Sequence, residues 1–126
     1  MKIRMKNEIQ LDGQMEVMDH VYEVDYKDKG DYAYLIYENE EKERVVLKFH
    51  DKELVMTRFS TPKSIMRFVK DEEAIVTLPT PMGIQHFVTV TSHYELADQQ
   101  LQIHYTLKPL EGEQIFASYQ MDISWS

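Results

Sequence analysis

The fold of this chain is decided by residues 84–125, which read IQHFVTVTSHYELADQQLQIHYTLKPLEGEQIFASYQMDISW. Apolar and polar residues alternate along this stretch almost without a break. Side chains on a β-strand point to opposite faces with a period of two, so the alternation predicts three long strands with one buried face each. The residues assigned to that face are Ile84, His86, Val88, Val90, Tyr94, Leu96, Leu101, Ile103, Tyr105, Leu107, Ile115, Ala117, Tyr119, Met121, Ile123 and Trp125.

The rest of the chain alternates short runs rich in Val, Ile, Tyr, Phe and Thr with turn residues such as Asp12-Gly13 and Glu111-Gly112. Such runs fit a pleated, half-buried surface, and the turn residues separate them. In the second run Met15 and Val17 face inward, and a change of parity then predicts a bulge near Met18. The predicted strands are 2–9, 15–27, 31–38, 44–50, 53–59, 64–70, 73–79, 84–96, 101–107 and 114–125, with a short helix within 60–71 as the alternative there.

About ten strands joined by tight turns imply antiparallel neighbours. Closure removes the two exposed edges that an open sheet of this size would leave. We therefore predict one all-β domain over residues 1–126, a single antiparallel up-and-down β-barrel of about 8–10 strands. A two-sheet sandwich is the rival architecture, but the longest gaps, at 39–43 and 108–113, are short enough for hairpins.

The hairpin of the last third also predicts a register. If Leu96 pairs with Leu101, Tyr94 faces Ile103 and Ser92 faces Tyr105 inside the barrel. In the same register His93 lies opposite His104 on the outer face.

Composition restricts the chemistry. The chain has 126 residues, 43% hydrophobic and 29% charged, with a net charge of −8 and no cysteine. Without cysteine there is no disulfide framework, thiolate zinc site or cysteine nucleophile. An acidic protein repels the phosphate backbone, so we expect no nucleic-acid partner. No apolar run resembles a secretion signal or a membrane span, so we expect no membrane partner and a cytoplasmic location.

Common catalytic and cofactor motifs are also absent from the sequence: there is no glycine-rich nucleotide loop, no Gly-x-Ser-x-Gly elbow and no His-Glu-x-x-His pair. We therefore predict no catalytic residue and no cofactor. His93 and His104 with Glu95 or Asp122 are the candidate ligands of a metal site, but zinc usually takes three protein ligands and the geometric argument supports only the two histidines. We predict no metal site.

A family resemblance supports the barrel. Tyr34-Leu35-Ile36-Tyr37-Glu38, Val46-Leu47-Lys48-Phe49, Arg58, Thr80-Pro81-Met82-Gly83 with the strand to Thr91, and the final strands with Tyr105 and Tyr119 resemble the YwiB-like proteins. The resemblance implies a calycin-type, lipocalin-like closed barrel in a bacterial cytosol. It implies no activity and no site residues. Phe59-Ser60 after Arg58 departs from the glycine expected in the family.

Tyrosines dominate the predicted lumen. A tyrosine ring is apolar, but its hydroxyl needs a partner when buried, and a small barrel is either packed solid or holds one small ligand. We predict that the lumen binds a small apolar or amphipathic molecule. Arg58 either pairs with a loop carboxylate or holds a ligand carboxylate. The predicted ligand-binding residues are Tyr94, Tyr105, Tyr119 and Arg58, with Tyr22 and Trp125 behind them.

The alternative is an interaction or homodimerisation module with a solid core and no ligand. By parity several large apolar residues face outward, and a contiguous apolar patch marks an interface. These residues are Val55, Phe59, Phe68, Phe87 and Phe116.

Overall fold

The computed structural model describes all residues 1–126. The chain forms ten β-strands joined by turns, and it contains no helix. Residues 60–71 therefore contain a strand rather than the alternative short helix. The structure offers no helix that could span a membrane. The strands are β1 (Lys2–Leu11), β2 (Gln14–Asp28), β3 (Ala33–Glu38), β4 (Arg44–Phe49), β5 (Glu53–Arg58), β6 (Ser64–Val69), β7 (Glu73–Thr80), β8 (Gly83–Ala97), β9 (Gln100–Pro109) and β10 (Ala117–Trp125).

Each strand pairs antiparallel with the next along the chain, and β1 pairs with β10 to close the barrel. The closing register runs from Ile3 opposite Trp125 to Gln10 opposite Ser118. The predicted all-β up-and-down barrel is confirmed, and the closed strand order excludes the sandwich.

The two ends of the barrel differ. The hairpin end carries the five turns that follow β1, β3, β5, β7 and β9, and the terminal end carries the other turns and both chain termini. Apolar side chains fill the half of the lumen nearest the terminal end, where the cross-strand pairs of Leu101 with Ile123 and of Leu35 with Leu47 lie. All four are at most 1% exposed, as is Ile3 of the closing pair.

The β8–β9 hairpin confirms most of the predicted register. Leu96 pairs with Leu101 and Tyr94 with Ile103. His93 pairs with His104, and their ring centroids are 4.7 Å apart.

A bulge between Thr91 and His93 makes the rest of that register wrong, because Thr91 rather than Ser92 pairs with Tyr105. The extra residue reverses the parity of the strand before it. As a result Thr89 and Thr91 are buried, whereas Ile84 and His86, which we assigned to the inner face, are exposed.

The bulge predicted near Met18 is absent, since β1 and β2 pair without interruption from Leu11 opposite Gln14 to Lys2 opposite Glu23. Met15 and Val17 are therefore 66% and 52% exposed rather than inward.

Phe68 corrects a second assignment. It is 1% exposed and pairs with the buried Leu54, so it belongs to the core and not to the outer face. The apolar pairing with β5, rather than the strand's own ambiguous pattern, sets its direction.

Candidate functional site

The lumen is not filled at the hairpin end, where a cavity of about 240 Å³ opens between β2 and the β3–β4 turn. Its floor is formed by Phe68 and Tyr105. Methionine is unbranched and polarizable, so it adapts to irregular space and makes favourable contacts with aromatic rings. Five of the eight methionines of the chain line this cavity: Met5, Met18, Met56, Met66 and Met121.

Asn7 places a polar group among these methionines. It lies on β1 between Met121 of β10 and Met18 of β2, on the inward parity. Its Oδ1 atom is buried and has no hydrogen-bond partner. A buried acceptor without a partner costs about 1–3 kcal/mol, and that cost is relieved when a donor binds the oxygen.

An aromatic stack forms one wall of the cavity. The ring centroids of His20 and Tyr22 are 5.9 Å apart, and those of Tyr22 and Tyr37 are 4.8 Å apart with the planes at 17°. The Tyr22 hydroxyl donates a 2.5 Å hydrogen bond to Glu40 Oε2 in the β3–β4 turn. Burial, and then this bond to a carboxylate, raise the pKa of Tyr22.

The rim of the cavity is held by Arg58. Its Nε donates to Glu43 Oε1 at 2.7 Å, and its Nη2 donates to Glu41 Oε2 at 2.8 Å. The Glu43 bond raises the pKa of Arg58, while bonds from Asn39 and then Arg58 lower the pKa of Glu43. Arg58 thus pairs with carboxylates of a neighbouring turn, which is the structural one of the two roles that the sequence left open.

The floor of the cavity is a packed aromatic group. The Tyr105 ring lies 4.5 Å from the ring of Phe68 and 4.5 Å from that of Tyr119, and the two tyrosine planes differ by 10°. Burial raises the pKa of Tyr105, and the Asn7 side chain acts in the opposite direction. Thr91 of β8 pairs with Tyr105, and its Oγ1 atom is buried without a hydrogen-bond partner.

The structure brings together some of the six predicted ligand-binding residues. Tyr22, Arg58 and Tyr105 line the cavity, and Tyr119 lies behind Tyr105. Tyr94 does not line it, because its hydroxyl donates a 2.5 Å hydrogen bond to the His50 carbonyl nearer the terminal end.

Trp125 also lies elsewhere. It is 7% exposed and packs against Phe49, with ring centroids 5.4 Å apart, at the base of an open depression of about 590 Å³ at the terminal end. Loop residues form most of that depression, and the filled core lies beneath it. The ligand-binding role of the six residues stays a prediction.

Sequence reasoning missed Asn7, Tyr37 and most of the methionines. The signal that could have found Asn7 is present in β1, where an amide follows Ile3 and Met5 on the inward parity. No such signal exists for the cavity volume, which depends on side chains from eight strands.

No group of three or more His, Cys, Asp or Glu side chains is placed to hold a metal ion. His93 and His104 contact each other on the outer face, and Asp122 Oδ1 is buried nearby on β10 without a hydrogen-bond partner.

Fold and site together define a calycin-like β-barrel with a small lumenal cavity. The chain belongs to the family described as "Domain of unknown function (DUF1934)", which matches residues 3–123. The crystal structure of the ywiB protein from Bacillus subtilis is similar, with a TM-score of 0.72 and 20% identity over 99% of this chain and 90% of that one. The predicted YwiB-like membership is therefore confirmed. No curated protein matches the sequence.

Proposed function

We propose that this protein binds a small, largely apolar molecule that carries one hydrogen-bond donor, in the cavity at the hairpin end of the barrel. The observation that carries the proposal is the unpartnered Asn7 Oδ1 in a cavity that is lined mostly by methionine and aromatic side chains. Small-molecule sites combine apolar walls with a few placed polar groups in this way. The protein would act as a cytoplasmic binding protein rather than as an enzyme.

The size of the cavity restricts the ligand. A dry cavity of about 150 Å³ in another protein binds benzene, so about 240 Å³ suits a molecule of roughly two fused rings. A contact between methionine sulfur and an aromatic ring is favourable by about 0.3–1.5 kcal/mol. The methionine walls therefore favour a ligand with an aromatic body over one with an aliphatic body.

The charged rim adds little affinity for a ligand carboxylate. The two donors that Arg58 directs toward the β3–β4 turn are engaged by Glu41 and Glu43, and Glu40 accepts from Tyr22. A neutral ligand therefore fits this site better than an anion, which would meet three carboxylates at the mouth.

The experiment uses two probes that differ only in a hydroxyl, 2-naphthol and naphthalene, titrated against the protein and followed by fluorescence. We expect saturable binding of both and a preference for 2-naphthol that is lost in Asn7→Leu, which keeps the branched shape and the number of heavy side-chain atoms but removes the acceptor. Met56→Trp, which fills the cavity, should abolish binding. Met82→Trp is the matched control because Met82 is 87% exposed.

Two results would overturn the proposal. One is the absence of saturable binding of either probe to the wild-type protein. The other is undiminished binding to Met56→Trp, provided that circular dichroism shows this variant to be folded.

A further inference from the structure

The β1–β2 hairpin extends past the rest of the barrel and leaves one edge of β2 unpaired. Residues 14–23 of β2 pair with β1, but pairing with β3 begins only at Val24 opposite Tyr37. Residues 11–19 are all exposed. An unpaired strand edge with exposed apolar side chains is a template for pairing with another strand.

The direction of the backbone groups on this edge follows from the turn. Asp12 and Gly13 have φ of 50° and 75°, as in a two-residue type I′ turn, which makes Leu11 and Gln14 a hydrogen-bonded pair. Hydrogen-bonded and non-hydrogen-bonded pairs then alternate along the hairpin. By this alternation Val24 and Met1 form a hydrogen-bonded pair, and the Val24 N–H does donate to the Met1 carbonyl. The backbone groups that point to the free edge therefore belong to Met15, Val17, Asp19 and Val21.

We propose that a second copy of this chain pairs with the free edge, β2 against β2 in antiparallel orientation, about a two-fold axis at Met18. This register uses the whole free segment and places Met15 opposite Val21 of the other copy. Those two outer-face side chains are 66% and 57% exposed in the single chain. Residues 15, 17, 19 and 21 of each copy would form the ladder.

The opposed side chains favour the register with its axis at Met18 over the register with its axis at Asp19. With the axis at Met18, Glu16 of each copy lies opposite His20 of the other, in a non-hydrogen-bonded pair where side chains approach closely. A carboxylate accepts a hydrogen bond from an imidazole N–H, and the two-fold axis makes this contact twice. An axis at Asp19 would instead place two aspartates directly opposite each other, which is unfavourable.

The pairing would also place Glu16 of the second copy at the mouth of the cavity, since His20 and Met18 line it. The inference does not depend on ligand binding, because it rests on the unpaired backbone groups of β2 and on side-chain pairs between the two copies. The two proposals can therefore fail separately. A monomer that binds 2-naphthol contradicts only the dimer, and a dimer without affinity for 2-naphthol contradicts only the proposed function.

Sedimentation equilibrium tests the proposal. We expect the mass to rise from 15.0 kDa toward twice that value as the concentration increases to the millimolar range. Val17→Glu, which places a second carboxylate directly opposite Asp19 of the other copy, should weaken the association about tenfold or more. Ile75→Glu is the matched control because Ile75 is 65% exposed on β7, away from this edge.

Charge exchange tests the register. Glu16→Lys alone should weaken the dimer, and the double variant Glu16→Lys, His20→Glu should restore it. Hydrogen exchange should show protection of the amides of residues 15, 17, 19 and 21 that increases with concentration. A monomer at all concentrations overturns the proposal, as does a dimer that Val17→Glu leaves unchanged or a dimer in which these amides gain no protection.

Discussion

The Thr89 hydroxyl donates a 2.6 Å hydrogen bond to the backbone carbonyl of Arg67, from β8 to β6 across the intervening β7. This bond lies at the weakest seam of the barrel, where β6 and β7 share a single register pair, Ile65 opposite Thr77. Thr89 is fully buried, so its side chain supplies part of the pairing that the backbone does not. A side-chain hydrogen bond thus adds to the short strand ladder at this seam.

Thr89→Val should destabilise the protein by about 1–3 kcal/mol, because it leaves the Arg67 carbonyl without its donor. Thr91→Val is the matched comparison. Thr91 is also buried, but its Oγ1 has no partner, so its removal should leave the free energy of unfolding unchanged or slightly raise it. Urea unfolding of both variants measures the difference, and equal losses of stability would show that the bond to Arg67 has no special role.

The bond from Tyr22 to Glu40 ties the β1–β2 hairpin to the β3–β4 turn, and it lowers the pKa of Glu40. A glutamate with a lowered folded-state pKa stabilises the fold above its unfolded pKa of about 4.3, and this stabilisation is lost as pH falls through the folded value. Tyr22→Phe should therefore lower the urea midpoint at neutral pH.

The difference between wild type and Tyr22→Phe should narrow as the pH falls toward about 3, below the usual glutamate pKa. Tyr34→Phe, outside this bond, is the control and should show no such pH-dependent difference. A difference between wild type and Tyr22→Phe that stays constant over this range would contradict the assignment of the bond to the ionised carboxylate.

Alkaline pH tests the aromatic wall of the cavity. Burial, and then the nearby Glu40 carboxylate, raise the pKa of Tyr37 to about 12. Because the folded value exceeds the usual value of about 10, the contribution of Tyr37 to stability is complete below pH 10 and is lost as pH rises toward 12.

Absorbance titration at the phenolate band should show that Tyr37→Phe removes a component with a midpoint near pH 12. The variant should also lose less stability than the wild type between about pH 10 and pH 12. Removal of a component that titrates near the usual tyrosine value would mean that the ring is solvated.

Local alternation predicted the register of the β8–β9 hairpin but not the bulge in β8. The β8–β9 hairpin follows from Leu96, Leu101 and Ile103, whose spacing fixes one register around a short turn. In Val88-Thr89-Val90-Thr91 every residue is β-branched, so alternation cannot reveal the bulge that reverses the inner face.

The candidate site was predicted only in part for a related reason. Tyr22 and Tyr105 were assigned to the lumen from parity, and the structure places both at the cavity. Parity specifies a face but not a depth along the barrel axis, so it could not separate them from Trp125 near the other end. The cavity volume depends on how methionines from several strands pack, and no local pattern encodes that packing.

Phe68 provides the sharpest test of the inner face, since alternation placed it outside and the structure buries it at 1% exposure against Tyr105. Phe68→Ala should cost about 3–5 kcal/mol in the free energy of unfolding, the range for loss of a buried aromatic ring. Phe59→Ala is the control, because Phe59 is 48% exposed and such surface changes usually alter stability by about 0.5 kcal/mol or less. Denaturant unfolding of both variants measures the difference. Similar small losses for the two would mean that Phe68 lies on the outer surface, and the floor of the cavity would then have to be assigned to other residues.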